Sequence, residues 1–145
     1  MTSYINTIDE IIALYELEPE LCDIYVEGIT DQLVIKRFID KYDIYDVNVK
    51  LIEDIDFNSI CEKYPNIKRN NKEKLITLSK EISKNDELEK INKLTIIIDK
   101  DFDEINQTMI SNKYVKYTDY NSLELYLYNE SVIDNFYSCV LRRFP

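Results

Sequence analysis

LTIIIDKDFD, residues 94–103, opens on a run of apolar residues and closes with carboxylates at every second position, Asp99, Asp101 and Asp103. A continuous Ile-rich run reads as a strand buried on both faces, as in the centre of a parallel sheet. Acids crowded at its carboxyl end repel one another unless a cation sits among them. In an open α/β sheet, ligands bind at the carboxyl ends of the strands. The simplest neutraliser for clustered carboxylate oxygens is a hard cation such as Mg²⁺. The stretch therefore points to a divalent-metal site at the tip of a central strand.

Outward from this strand, helix and strand signals alternate. Ile5, Ile8, Ile11, Ile12 and Tyr15 have helical spacing over residues 4–18, and Pro19 ends that segment. Residues 23–26 signal a strand, followed by Glu27 and Gly28, the only glycine in the chain. Thr30 is a candidate N-cap for an amphipathic helix over 31–41. Val47, Val49 and Leu51 alternate and predict a more exposed strand over 46–52. Residues 53–71 read as irregular, and 72–83 as a helix that continues brokenly to Ile91. After the central strand come a short helix over 104–112, a strand over Tyr114–Tyr117, and helices over Ser122–Tyr128 and Val132–Leu141. This order predicts an α/β fold with a mostly parallel four-stranded sheet flanked by helices.

The composition narrows the function classes. A length of 145 residues suits one domain with a real core, and 45% hydrophobic residues exclude a disordered chain. No apolar window is long enough for a membrane span, and no export signal is visible, so a cytoplasmic protein with no membrane partner is expected. The chain has no histidine, which argues against a zinc site or a His-activated nucleophile. Cys22, Cys61 and Cys139 are far apart and read as idle thiols. Acids outnumber bases 28 to 18, for a net charge of −10, whereas a free-standing nucleic-acid binder normally shows a basic face.

Three motifs carry candidate chemistry. In YVEGITD, residues 25–31, Glu27 sits at a strand tip, Gly28 makes the turn, and Asp31 falls in the first turn of the next helix. Glycine there permits a positive φ or a close approach of backbone or phosphate. The plainer reading is a tight turn with Asp31 complementing the helix dipole. In DKDFD, residues 99–103, an extended backbone puts Asp99 and Asp101 on one side, able to chelate together, with Lys100 facing away. A calcium loop of EF-hand type is rejected, because positions 104 and 110 are Glu104 and Ile110. A haloacid-dehalogenase-type phosphatase shares the DxD, but carries it near the N-terminus with a threonine where this chain has Asp103. In TDYNSLELYL, residues 118–127, Ser122 and Glu124 open a helix, and Glu124 can add a metal ligand or merely sit in a capped first turn. The lysines and arginine of residues 63–74, including Lys72, fit phosphate contact or a solvated face.

Taken together, Tyr25-Val26-Glu27-Gly28 with Asp31, and Ile96-Ile97-Ile98-Asp99 with Asp101, resemble the TOPRIM domain of topoisomerases, primases and related nucleases. DKDFD followed by a strand and a Ser-Glu helix is similar to the TOPRIM nucleases that accompany AAA or ABC-type ATPases in phage defence, the overcoming-lysogenization-defect kind. The resemblance covers residues 23–128 of a single domain, with an N-terminal helix in 1–20 and a C-terminal helix in 129–145. It implies a TOPRIM-like, Rossmann-like fold and a Mg²⁺- or Mn²⁺-dependent endonuclease acting on DNA or tRNA. It assigns catalysis to Glu27, Asp31, Asp99 and Asp101, and metal binding to Glu27, Asp99, Asp101, Asp103 and Glu124. It further implies an ATPase partner protein, a homo-oligomer, or both; no GxxxxGK motif lies in this chain, so an ATPase would be separate. The alternatives are a non-catalytic binding or regulatory module of the same fold, and a small-substrate phosphatase.

Overall fold

The computed structural model describes residues 6–66, 68, 70–85, 93–129 and 131. Its centre is β5, Leu94–Ile98, paired in parallel with β2, Asp23–Val26, on one side and β6, Val115–Tyr117, on the other. Beyond β2 lies β3, Asn48–Leu51, also parallel, giving the order β3-β2-β5-β6. The α/β class and the parallel four-stranded sheet are as the alternation of signals predicts. A further parallel pair, β1 (Asn6–Thr7) with β4 (Ile55–Asp56), was not legible in so few residues.

The Ile-rich run is buried because each face of β5 meets a different layer. Leu94, Ile96 and Ile98 point into the larger core, with Ile8, Ile11 and Tyr15 of α1 (Ile8–Leu17) and Leu75, Leu78 and Ile82 of α4 (Asn71–Ser83). Ile97 turns to the opposite face, toward Val26, Ile35 and Val49 beneath α2 (Ile29–Lys41). The alternation of β2 follows the same logic, with Tyr25 on the first face and Ile24 and Val26 on the second. Burial of a full Ile side chain contributes roughly 2–3 kcal/mol, so this strand anchors both layers.

The three long helices, α1, α2 and α4, each begin at a capping arrangement. Thr7 and Glu10 form a capping box for α1. Asn70 accepts from the Glu73 N–H at 2.8 Å and opens α4. For α2 the cap position is Gly28, not Thr30, because the Asp31 carboxylate reaches back to the Gly28 N–H at 3.0 Å. Within the stretch expected to be irregular, a 3-10 turn spans Ile52–Asp54 and α3 spans Asn58–Lys63. The helix expected over 104–112 is only α5, Asp103–Asn106, stopped by Gln107 in the left-handed region at φ 56°. Ser122–Tyr128 folds as a 3-10 helix, Leu123–Leu127. The continuation to Ile91, the helix over Val132–Leu141 and Cys139 lie outside the described residues; Cys22 and Cys61 are free thiols.

The connections decide where the chain reverses. From β2 the chain goes through α2 to β3 at one edge, then crosses back over β2 to reach β5. The strand order therefore switches between β2 and β5, and α/β sheets bind ligands outside the carboxyl ends of the strands at such a point. Those ends carry Glu27 and Asp99.

Asp23, at the opposite, amino end of β2, is fully buried. It accepts from the Tyr15 hydroxyl at 2.6 Å and Asn48 Nδ2 at 2.9 Å, and pairs with Lys50 Nζ at 2.7 Å. Burial and the adjacent acid push the Tyr15 hydroxyl far above its ordinary range, and burial raises Tyr25 to about 12. No described helix is long and apolar enough to cross a membrane.

Candidate metal centre

The last ladder residue of β5 is Ile98, and the chain then leaves strand geometry. Thr118, buried just after β6, holds the departure: its N–H donates to the Ile98 carbonyl at 3.1 Å, and its hydroxyl accepts from the Lys100 N–H at 3.0 Å. Asp101 takes a left-handed conformation at φ 48°, and its N–H donates to the Asn121 carbonyl at 2.9 Å. Asp tolerates this region better than most residues, and such backbone is typical of sites under functional constraint. The turn departs from the period-two expectation, and the Asp99 and Asp101 side chains have different partners: the Leu123 N–H for Asp99 and Lys72 for Asp101.

Asp99 meets Asp31 and Glu124. One carboxylate oxygen from each of the three lies within 4.8 Å of the others, and all three residues are half-buried. Three separate elements deliver them. Asp99 comes from the tip of β5, Asp31 from the first turn of α2, and Glu124 from the 3-10 helix after β6. Ser122 does not cap that 3-10 helix with its side chain; the Asp99 Oδ1 accepts the Leu123 N–H at 2.9 Å instead. A contact between residues 24 apart left no local signal.

Glu27 sits beside this group. Its carbonyl accepts from Asn71 Nδ2 at 2.8 Å, while its Oε1 is buried without a hydrogen-bond partner among the described residues. Burial raises the Glu27 carboxyl to about 7; a hydrogen bond from the Asp99 backbone opposes this, and the Asp99 charge adds to it. Burial also raises Asp99 to about 6, helped by the negative charge of Asp31. Asp31 is shifted upward by burial too, against the stabilising Gly28 N–H, with Glu124 adding repulsion. The site thus holds more negative charge than its own surroundings neutralise.

Asp101 and Asp103 are engaged elsewhere. Lys72, in the first turn of α4, places its ammonium 2.7 Å from Asp101 Oδ2 and 2.8 Å from Asp103 Oδ2. It also donates to the Asp99 carbonyl at 2.7 Å. The other Asp103 oxygen accepts from Thr108 at 2.8 Å. Burial would raise Asp103, but the Lys72 and Thr108 hydrogen bonds win and hold it below the usual carboxylate range. Lys100 turns away to Glu104 at 3.2 Å. Lys72 was only one member of a basic run over residues 63–74, and nothing local in the sequence set it apart.

Gly28 is not there for a positive φ. Its φ is −149°, extended backbone open to any residue, and an added Cβ would meet only Asp31 Oδ2 at 3.8 Å.

The donor set suits a hard divalent cation: Asp31, Asp99 and Glu124 are all carboxylates that converge from three elements, and beside them lies Glu27 Oε1, buried and without a hydrogen-bond partner among the described residues. Asp31, Asp99 and Glu124 are positioned to hold such an ion, with Glu27 alongside. Asp101 and Asp103 join only if Lys72 gives them up.

A family model described as "Protein of unknown function (DUF3226)" matches residues 23–136. No curated protein matches the chain.

Proposed function

The chain belongs to the DUF3226 family, and from its carboxylate centre we propose a divalent-metal-dependent nuclease of TOPRIM type. The observation that carries this reading is the convergence of Asp31, Asp99 and Glu124 within 4.8 Å, beside Glu27 Oε1, which has no hydrogen-bond partner among the described residues. It lies at the switch point of a parallel sheet, where α/β folds bind ligands.

Asp31, Asp99 and Glu124 would hold Mg²⁺ or Mn²⁺, both of which favour oxygen ligands. When bound, the ion supplies a Lewis acid for a phosphoryl oxygen and lowers the pKa of coordinated water. The chain's own groups do the rest. Asp99 is fixed by the Leu123 N–H and Asp31 by the Gly28 N–H, so both carboxylates are pre-oriented. Glu27, raised to about 7, can carry a proton at Oε1 or release it near neutral pH, as a general acid or base requires. The substrate in this reading is a DNA or tRNA phosphodiester. The setting is a cytoplasmic anti-phage defence system with an ATPase partner, a second copy of the chain, or both.

A second reading is a binding module of the same fold that acts through a partner protein. The net charge of −10 favours it. So does the apolar surface along α2, where Ile29, Leu33 and Phe38 are exposed beside a groove lined by Val34, Ile39 and Ile97.

The test is a cleavage screen over duplex DNA, single-stranded DNA and tRNA with Mg²⁺ or Mn²⁺, with and without a co-expressed ATPase. Wild type should cut, while Glu27→Gln and Asp99→Asn should lose at least ~100-fold in rate yet melt cooperatively. Cleavage retained by both variants would sink the nuclease reading and leave the binding module.

A further inference from the structure

We propose that Lys72 is the built-in counter-cation of the acid loop, and that a divalent ion reaches Asp101 only by displacing the Lys72 ammonium from it. This rests on the metal-centre reading above and adds a competitor to it.

The placement of Lys72 is unusual for a lysine. It lies in the first turn of α4, two residues after the Asn70 cap, where the helix dipole disfavours a positive charge. Something must compensate. The ammonium has three N–H donors, and three acceptors surround it: the Asp99 carbonyl at 2.7 Å, Asp101 Oδ2 at 2.7 Å and Asp103 Oδ2 at 2.8 Å. Its donors are therefore saturated by the loop that follows β5. Asn71, its neighbour, ties the same helix end to the Glu27 carbonyl at 2.8 Å and to Glu53 at 3.1 Å. The start of α4 is thus bound to the ends of both β2 and β5.

The three contacts are not equal. The Asp103 side chain is only 19% exposed and is also held by Thr108, whereas the Asp101 side chain is 56% exposed and has Lys72 as its ion-pair partner. A more exposed pair is better screened and yields first. Asp101 is also the residue in left-handed backbone, at φ 48°, so the loop holds it in one place while its partner changes. Bringing a divalent ion to Asp101 with the ammonium still attached would set like charges a few ångströms apart, which is costly where water is partly excluded. Lys72 should therefore weaken metal binding in the free protein, and its release frees one N–H donor beside the acids.

The experiment is a Mn²⁺ titration, reading free Mn²⁺ by electron paramagnetic resonance, on wild type, Lys72→Met, Lys72→Arg and Asp99→Asn. Lys72→Met should bind Mn²⁺ about tenfold more tightly than wild type, because a neutral side chain cannot compete. Lys72→Arg, which keeps the charge, should stay close to wild type, and Asp99→Asn should bind far more weakly. Equal or weaker binding by Lys72→Met than by wild type overturns the inference and leaves the metal centre standing. No Mn²⁺ bound by either protein overturns the metal centre itself. Should Lys72→Met show no folding transition, the wild type decides: the ¹⁵N-detected Lys72 ammonium signal should shift as Mg²⁺ is added. A signal unchanged at Mg²⁺ levels that saturate the melting-temperature shift overturns the inference.

Discussion

At the level of single residues, two carboxyls set how the protein responds to pH. Glu27 is raised to about 7 and Asp99 to about 6, in both cases first by burial. A carboxyl whose folded value lies above its unfolded value binds its proton more tightly when folded. Its stabilising effect is fully present below the unfolded value and is lost as pH rises through the folded one. Metal-free protein should therefore lose stability between roughly pH 4.5 and 7, the interval spanned by the ordinary and shifted Glu27 values. Because both groups are partly solvated, the loss is on the order of 1–2 kcal/mol rather than the full linkage value. Glu27→Gln should flatten this slope. Melting curves in EDTA across pH 4–8 for the two proteins check it, and parallel slopes would contradict the Glu27 assignment. Glu27, Asp31, Asp99 and Glu124 stood out in the sequence as candidates, since each follows a strand or starts a helix. Their mutual arrangement did not, because the side chains of residues 31, 99 and 124 meet only through the fold.

At the level of elements, β5, α2 and the 3-10 helix after β6 deliver the carboxylates, and α4 ties its first turn to the loop beside them. β5 was readable because its signal is local: β-branched residues in one unbroken run. Its end was not, since the direction of Asp99 and Asp101 depends on Thr118 and Asn121 across the sheet. The first turn of α4 presents Asn71 and Lys72 to the strand tips, so its cap governs both stability and the site. Asn70→Ala removes the acceptor for the Glu73 N–H and should cost about 1 kcal/mol. Urea denaturation measures that loss directly. The same variant should loosen Lys72, so its Mn²⁺ affinity should rise toward that of Lys72→Met; unchanged affinity would separate the cap from the ion pair.

At the level of the whole molecule, the sheet has one polar cluster at each end of β2. Asp23 with Tyr15, Asn48 and Lys50 occupies the amino end, and the carboxylate centre the other. The first is fully partnered and serves the fold; the second is under-neutralised and is the candidate for chemistry. Asp23→Ala leaves Lys50 without its buried partner and should destabilise by about 3 kcal/mol. Asp99→Asn relieves carboxylate repulsion and should cost little or stabilise slightly. The two ends are separated by the four residues of β2, about 13 Å of strand. At that distance the double variant should be additive within ~0.5 kcal/mol. A larger coupling in denaturation experiments would mean that the two clusters communicate through the strand.

The amino-acid sequence by itself determined the α/β class, the strands at residues 23–26 and 94–98, and the acids at their carboxyl ends. Periodicity, β-branching and chain order are properties of neighbouring residues, and they survive whatever the rest of the chain does. Only the tertiary structure decided that Asp99 joins Asp31 and Glu124, that Asp101 and Asp103 belong to Lys72, and that Gly28 needs no special backbone. Beyond the last ladder hydrogen bond of β5, no period governs which way a side chain points. The partners are then chosen by loops and helix ends brought together from residues 27, 72, 118 and 123, which no local pattern in the chain relates to one another.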